Sequence, residues 1–424
     1  MNPTTTEPNA EPFAAFVGFD GADQKHAGAL CAEGGKPETF SLDQTPEAIE
    51  QWATTLRQRF AGRPIAVCLE QSKGALLYAL LKYDFFVLFP INPLQSKRFR
   101  EALVPSGAKD DPQDALLILE ILLKHREHLH AWKPDDATTR LIGLLCEDRR
   151  QLVAQRTRLT NALKSRLKQY FPQALEVLGE LDTELAGQFL LRWDCLEKLQ
   201  RESPAEIEAC YRAQHCNHPK LIADRLALIA KAIPLTTDQA IIDSGRLLVR
   251  SLAAQLLALI DPLRQYDQQL AALMEQHADA AIFQSFPGAG DALAPRLLAA
   301  FGTDRDRMEN ATDMQCLSGI APLVRQSGKT RHVLRRHACN KFLRQTFHEF
   351  AQHSLARSAW AKAYYDLLRS RGAKHHAAVR GLAFQWIRIL YRCWKQRTLY
   401  NETHYLLHLI QRQSPLLKFI APNP

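Results

Sequence analysis

The chain has 424 residues, of which 46% are hydrophobic and 23% are charged. These values are ordinary for a globular protein and exclude wholesale disorder, collagen and a small disulfide scaffold. Lysine and arginine outnumber the acidic residues by 54 to 45, which gives a formal net charge of +9 and favours a polyanionic partner. A typical domain has about 150 residues, so the length predicts two or three domains.

The first part of the chain predicts an α/β domain. Residues 1–12 are polar and predict a disordered tail. From residue 13 to about residue 130, three short strands are followed by a helix, and then strands alternate with helices. We expect the first helix to begin after an N-cap at Thr45 and the last one to carry Asp111 through Leu123. This β-β-β-α-β-α-β-α order is that of a ribonuclease-H-like (RuvC-like) fold, although other α/β domains begin similarly.

The remainder of the chain predicts helices. Leucines recur at fours and sevens from about Ala137, and a second apolar stripe runs from about Thr237 to His277. Two such helices within 131–280 predict an antiparallel coiled coil or dimerisation arm, and a plain helical bundle fits equally well. The segment 281–424 predicts a mostly helical domain. Its stretch 314–348 contains seven lysines and arginines and no acidic residue.

Four acidic residues stand where a metal site would need them. Asp20 ends the first predicted strand and Glu70 ends the strand IAVCLE, while Asp111 and Asp114 share one face of a predicted helix. Clustered carboxylates without sulfur or histidine suit Mg²⁺, and a pair of Mg²⁺ ions can activate a phosphodiester for cleavage. Any one of these acids alone would more readily be a helix cap or a solvated charge, and the periodicity does not exclude Asp23 or Asp110.

These acids lie in motifs that resemble a known family. The segments VGFD (17–20), CLEQS (68–72) and KDDPQDA (109–115) resemble the D-E-D-D motifs of the IS one-ten family of insertion-sequence transposases, with Asp110 in place of the usual threonine. FPGAG (286–290), SGIAP (318–322) and RQSGKTRHVLRR (325–336) resemble motifs of the family's C-terminal transposase domain. The usual second glycine near Ser-Gly and a downstream Lys-Arg-Gly are absent, and the middle segment is longer than usual.

The resemblance carries several implications. It implies a RuvC-like domain that uses Mg²⁺, a nucleophilic serine at Ser327, and guidance by a structured (bridge) RNA. It also implies double-stranded DNA as donor and target, held by a dimer of dimers. Without the resemblance, Ser327 would more readily be a turn serine beside phosphate-binding residues. Ser318 is a competing nucleophile, but its apolar surroundings predict a buried helical position.

Several residues near the serine are candidates for nucleic-acid binding. Arg325, Lys329 and Arg331 could stabilise charge on a pentacovalent phosphate, and Arg335 and Arg336 extend the same basic stretch. The glycines at 288 and 290 resemble the turn of a helix-hairpin-helix, whose backbone N–H groups hold a phosphate, and a simple tight turn fits as well.

Three functions compete on these observations. The first is an RNA-guided transposase that forms a covalent phosphoserine intermediate. The second is a RuvC-like nuclease that cuts branched DNA by water attack, and the third is a non-catalytic nucleic-acid-binding scaffold. The nine scattered cysteines form no C-x-x-C pair, and the sequence shows no signal peptide or bilayer-spanning run. We therefore expect a cytoplasmic protein that associates with the nucleoid when bound to DNA.

Overall fold

The structure is a computed structural model that describes residues 13–70, 74–103, 110–328 and 330–420. The chain divides into two compact units, Met1–Pro134 and Asp135–Pro424. The first unit is α/β and the second is mostly helical, so the predicted fold classes are confirmed at this level. Among the described residues, no helix is both long enough and apolar enough to cross a bilayer.

The first unit is built on a mixed five-stranded sheet. The strands follow the order β3-β2-β1-β4-β5 across the sheet; β1, β2 and β3 pair antiparallel, whereas β1, β4 and β5 pair parallel. The elements, in chain order, are β1 (Ala15–Asp20), β2 (Lys25–Ala32), β3 (Glu38–Asp43), α1 (Pro46–Arg59), β4 (Ile65–Leu69), α2 (Ala75–Leu80), β5 (Phe86–Pro90), α3 (Pro93–Leu103), α4 (Asp111–Lys124) and a 3-10 turn (Arg126–His128). The predicted element order is confirmed, and the structure adds α3, which the sequence analysis did not predict.

Strand β1 contacts helices on both of its faces. Val17 and Phe19 are fully buried in the core that contains α1. Gly18 points to the other face, where an added Cβ would lie 2.4 Å from the backbone nitrogen of Leu119 and 2.6 Å from the carbonyl oxygen of Ala115. The backbone of α4 therefore lies directly on β1, and this close approach brings the first turn of α4 to the end of β1.

The second unit contains two long antiparallel helices. Its elements are α5 (Ala137–Tyr170), α6 (Gln173–Leu178), α7 (Glu184–Arg192), α8 (Leu196–Gln200), α9 (Pro204–Ala213), α10 (Pro219–Lys231), α11 (Gln239–Gln276), α12 (Ala280–Gln284), α13 (Gly290–Phe301), α14 (Ala311–Leu317), β6 (Leu323–Ser327), β7 (Thr330–Leu334), α15 (Lys341–Ser354), α16 (Ala359–Ser370), α17 (His375–Gln396), α18 (Glu402–Gln411) and a 3-10 turn (Pro415–Phe419). Arg149 on α5 pairs with Asp267 on α11 at 2.5 Å, and Gly245 of α11 faces the ring of Tyr170. These contacts run in opposite sequence directions, so α5 and α11 are antiparallel as predicted.

A separate hydrophobic core lies at each end of this helix pair. One core joins the end of α5 near Leu167 and the first half of α11 to helices α6–α10. The other core joins the start of α5 near Ile142 and the end of α11 to the C-terminal helices, and it includes the fully buried Trp360, Trp386 and Trp394. These three tryptophans are therefore core residues of the second unit.

Candidate metal centre and nucleic-acid interface

Three of the four predicted acids meet at the end of β1. Asp20 is the last residue of β1, Asp111 is the first residue of α4, and Asp114 follows one turn later. One carboxylate oxygen from each residue lies within 4.8 Å of the other two. Asp114 is buried, Asp20 is half-buried and Asp111 is exposed, so the cluster opens to solvent on the side of Asp111. This arrangement follows from the close contact between α4 and β1.

Arg100 on α3 contacts the buried member of the cluster, and the sequence analysis missed it. Its Nε lies 2.6 Å from Oδ1 of Asp114, with 23% and 4% of the two side chains exposed. The pair is a charge contact without hydrogen-bond geometry at Nε, because Nε has no hydrogen-bond partner. The other oxygen of Asp114, Oδ2, is also buried without a hydrogen-bond partner in the described part of the chain. Helix α3 was not predicted from the sequence, so nothing in the sequence pattern indicated that Arg100 contacts Asp114.

Glu70 lies at the same edge of the sheet but outside the three-carboxylate group. It follows β4, whose Leu69 pairs with Phe19, so Glu70 is the neighbour of Asp20 across the sheet. Its Oε1 accepts a hydrogen bond from the hydroxyl of Ser96, a buried residue of α3. The structure therefore brings together Asp20, Asp111 and Asp114 and places Glu70 beside them, held by Ser96.

The surroundings of the cluster offer oxygen ligands rather than sulfur. Cys68 on β4 is fully buried, and burial, followed by the charge of Glu70, raises the pKa of its thiol to about 12. The thiol is therefore neutral at physiological pH.

Asp23 and Asp110, the two alternative acids of the sequence analysis, are exposed and belong to no acidic or histidine cluster within the described ranges. Asp110 is the N-cap position of α4, although its side chain makes no capping hydrogen bond.

Ser327 lies at the tip of an exposed β-hairpin in the second unit. It is the last residue of β6 and pairs with Thr330, the first residue of β7. Gly328 follows it with φ = 53°, in the left-handed region that the turn requires, and an added Cβ there would meet open space. The hydroxyl of Ser327 is thus exposed on a narrow turn, where a phosphate can approach it.

Ser318 occupies a different environment. It is the C-cap of α14, it is fully buried, and its hydroxyl donates to the carbonyl oxygen of Met314 at 2.7 Å. The predicted burial of Ser318 is confirmed. A hydroxyl that is buried and already donating cannot reach a DNA phosphate without unfolding the end of α14.

The basic residues of the hairpin are exposed. Arg325 pairs with His332 across the hairpin, and Arg331 and Arg335 lie on β7 or just beyond it. Within the described ranges, none of these arginines forms an ion pair, and the half-buried Arg336 keeps a buried Nε without a hydrogen-bond partner. Lys329 lies outside the described residues.

The two glycines of the predicted helix-hairpin-helix have different surroundings. They join α12 to α13, with φ = 82° at Gly288 and φ = 51° at Gly290. An added Cβ on Gly288 would lie 2.9 Å from the carbonyl carbon and oxygen of His353, so this glycine packs against α15. An added Cβ on Gly290 would meet nothing within 4 Å. Gly288 therefore serves packing within the protein, whereas the space beside Gly290 is open.

Known transposase families match both ranges of the chain that contain these candidate centres. A DEDD-type IS110 family profile described as "Transposase" matches residues 17–172, and a second, "Transposase IS116/IS110/IS902 family", matches residues 280–366. The mini-circle putative transposase for IS117 of Streptomyces coelicolor is 31% identical over 82% of this chain and 85% of its own length. The chain belongs to the IS110 family of transposases.

Two further relatives extend across most of this transposase. An uncharacterized 43.6 kDa protein of the insertion element IS110 from Streptomyces coelicolor is 26% identical over 93% of the chain and 97% of its own length. An uncharacterized 44.8 kDa protein of IS116 from Streptomyces clavuligerus is 27% identical over 69% of the chain and 73% of its own length.

The matched ranges include both candidate centres. Residues 17–172 contain the three converging carboxylates, and residues 280–366 contain the glycine turn and the Ser327 hairpin. The protein is accordingly a DNA transposase, an enzyme whose substrate is DNA. Helices α6–α11 lie between the two matched ranges.

Proposed function

We propose that this transposase cuts and rejoins DNA through a Mg²⁺-dependent carboxylate centre and a covalent phosphoserine at Ser327, and that a structured RNA selects the DNA. The observation that carries the proposal is the convergence of Asp20, Asp111 and Asp114, which leaves one buried oxygen of Asp114 without a hydrogen-bond partner. The mixed sheet and the acids at its edge support a RuvC-like reading of the first unit.

The residues of the cluster fit a magnesium ion. Mg²⁺ prefers carboxylate oxygens and retains several waters, so a partly open site of three carboxylates is suitable. The unpartnered Oδ2 of Asp114 is costly to bury unless it binds a cation or a donor. Asp20, Asp111 and Asp114 would hold the ion, with Glu70 beside them. A bound divalent ion would supply charge stabilisation to a phosphodiester under attack.

The proposed serine step conserves the energy of the phosphodiester. The Ser327 oxygen attacks a DNA phosphorus, a P–O bond to serine forms, and one P–O bond of the DNA strand breaks. The hydroxyl loses its proton, and the departing DNA oxygen gains one, so the step balances. Attack by a DNA hydroxyl on the phosphoserine reverses the exchange and joins a new strand. Arg325 and Arg331, on the same exposed hairpin, supply positive charge to the phosphate.

Assembly and guidance complete the proposal. Guide RNA and DNA are polyanions, and the acid-free stretch 314–348 offers them a basic surface. The paired helices α5 and α11 are candidates for a coiled coil that joins subunits into a dimer or tetramer. Open space beside Gly290, at the start of α13, suits a DNA phosphate. We expect the protein to act in the cytoplasm on nucleoid DNA.

The carboxylate assignment is tested by substitutions that keep the fold. Asp20→Ala and Asp111→Asn should abolish DNA cleavage in the presence of Mg²⁺, because each removes an anionic ligand. Asp114→Asn should do the same, although it also leaves Arg100 without its anion. Asp23→Ala and Asp110→Ala are the matched controls and should retain activity. Full recombination by the Asp20→Ala protein would overturn the assignment.

The serine assignment is tested by trapping a protein–DNA adduct. The wild-type protein and Thr330→Ala, which removes the hydroxyl opposite Ser327, should form a covalent adduct, whereas Ser327→Ala should form none. Ser318→Ala should also retain the adduct because that hydroxyl is buried. Mg²⁺-dependent cleavage by wild type without any adduct would instead support a nuclease that uses water. Selection of the DNA by RNA is tested by removing RNA from the purified protein. This removal should abolish sequence-selective recombination.

A further inference from the structure

A cleft lies at the base of the Ser327 hairpin, between the hairpin and helices α16 and α17. Its volume is about 430 Å³, which is within the size range of small-molecule sites. Its walls include three arginines (Arg335, Arg336 and Arg380) and three apolar or aromatic side chains (Pro322, Tyr364 and Phe384). We call it the arginine cleft.

The positive charge of the arginine cleft is not neutralised by the protein. In the described part of the chain, Arg335, Arg336 and Arg380 form no ion pair, and the buried Nε of Arg336 has no hydrogen-bond partner. Burial, and then repulsion from Arg335, lower the pKa of Arg380 below its usual value. Arg336 and Arg380 are half-buried, with the exposed Arg335 beside them, and half-buried cations without an anion indicate a site for an anionic ligand.

The floor of the cleft is apolar and partly aromatic. Ile320 and Ala321 are buried there, and the half-buried residues Phe384 and Tyr364 also line the cleft. The amide of Gln385 is 3.4 Å from the hydroxyl of Tyr364, so a polar edge is present as well. A ligand that matches this cleft has a phosphate at one end and a flat, largely apolar group at the other, which is the chemistry of a nucleotide.

The strand pairing of the hairpin sets the distance between the arginine cleft and Ser327. Leu334 lines the cleft and pairs with Leu323 at the base of the hairpin, whereas Ser327 pairs with Thr330 at the tip. Four residues of strand separate the two pairs, which corresponds to about 13 Å along the hairpin. A DNA strand advances about 3.4 Å per nucleotide along a duplex, so about four nucleotides span this distance.

The geometry points to a binding site for one unpaired nucleotide of the DNA strand in the arginine cleft. Its phosphate contacts the arginines and its base lies against Phe384 and Tyr364, a few nucleotides from the phosphate that Ser327 attacks. The position of this site relative to the cleaved phosphate rests on the proposed function of Ser327. Binding of the nucleotide in the cleft does not depend on that function. A strand that is being cut and exchanged has unpaired bases at that point, so the cost of unstacking a base is small there.

The test measures binding of a short single-stranded DNA to the full-length protein by fluorescence anisotropy. The probe is a fluorescein-labelled thymidine tetranucleotide, and the control probe has the same backbone with abasic sites in place of the bases. Wild type should bind the thymidine probe about tenfold more tightly than the abasic one, because stacking on aromatic rings contributes substantially for each base. Phe384→Leu, which keeps an apolar side chain of similar volume, should remove this preference.

The charged part of the cleft is tested by Arg380→Gln. This variant should weaken binding of both probes and lower the slope of log affinity against log salt by about 0.7. Arg388→Gln is the matched control, since Arg388 is exposed on the same helix outside the cleft. It should keep the thymidine preference and leave the cleft intact.

Three results would overturn the nucleotide site itself. They are equal binding of thymidine and abasic probes, a Phe384→Leu protein that keeps the preference, and displacement of the probe by inorganic phosphate as readily as by thymidine monophosphate. A uridine tetranucleotide that binds more tightly than thymidine and depends on Phe384 would assign the cleft to RNA and overturn the DNA assignment. Ser327→Ala should bind both probes like wild type. A wild-type protein that prefers the thymidine probe through Phe384 but forms no covalent adduct with DNA would support the nucleotide site and contradict the serine chemistry.

Discussion

Replacing Arg100 by methionine tests the electrostatics of the candidate metal centre. The substitution removes the cation that lies 2.6 Å from Asp114, while its unbranched side chain still fills part of the space. The carboxylate of Asp114 is 4% exposed, so it cannot recover much hydration when the guanidinium is lost. Removing one partner of a fully buried ion pair costs about 3–5 kcal/mol. Because Arg100 is itself 23% exposed, we expect a loss of about 2–3 kcal/mol in the free energy of unfolding.

The matched control is Lys97→Met on the same helix. Lys97 and Glu101 are 3.8 Å apart, with 66% and 64% of their side chains exposed. An exposed pair of this kind contributes about 0–1 kcal/mol. The comparison therefore separates the burial of the Arg100 pair from the general loss of a positive charge on α3.

Magnesium should restore stability to the Arg100→Met protein more than to wild type. In wild type, the ion meets a carboxylate that is already neutralised by Arg100, whereas in the variant it meets an uncompensated charge. We expect the affinity for Mg²⁺ to rise about tenfold, which corresponds to about 1.4 kcal/mol of additional stabilisation at saturation. Hydrogen exchange of the β1 and β4 amides, with and without Mg²⁺, reports on the first unit alone. Equal effects of Mg²⁺ on the two proteins, or an Arg100→Met protein as stable as Lys97→Met, would refute this reasoning.

Three further predictions concern the second unit. Neutralising three exposed or half-exposed arginines should flatten the salt dependence of nucleic-acid binding by about one unit of slope per lost phosphate contact, and an unchanged slope would mean that they only face solvent. The three are Arg331, Arg335 and Arg336. Gly288→Ala should destabilise the protein by about 2–4 kcal/mol in urea unfolding, since strain and a clash with His353 add, whereas Gly290→Ala should cost only the strain of about 1–2 kcal/mol. Burial alone would raise the pKa of Asp136, yet hydrogen bonds from Thr139 and Thr303 outweigh it and lower the pKa to about 2. The stability that this depressed pKa contributes is present above about pH 4 and is lost as the pH falls toward about 2; acid unfolding curves of Asp136→Asn should lack that loss, and identical curves would contradict the assignment.

Much of the first unit followed from local patterns. The predicted order of strands and helices is present, and Thr45 caps α1 as expected, with its hydroxyl accepting a hydrogen bond from the amide of Ala48. The spacing of Asp111 and Asp114 predicted a shared helix face, and the structure places both acids beside Asp20. These features depend on residues that are close in sequence or that end adjacent strands, so a single sequence contains the signal.

The features that the sequence did not reveal depend on tertiary contacts. Nothing in the local pattern indicates that Arg100 reaches Asp114 or that Ser96 donates to Glu70, because α3 is oriented by its contacts with the rest of the first unit. Gly288 and Gly290 look equivalent in the motif, yet only Gly288 abuts the backbone of α15. Similar motifs identify the family, but the surroundings of each residue depend on how distant segments pack in the folded chain.

The long helix pair also has a mechanical consequence. Helix α5 has 34 residues, so it is about 51 Å long. Because each end is embedded in its own core, the helix pair sets the distance between the two cores. A tilt of about 5° at one core would displace the other by about 4 Å over that length, a distance comparable to the spacing of successive nucleotides along DNA. A change of that size in the angle between the helix pair and one core would therefore displace the other core by about one nucleotide step.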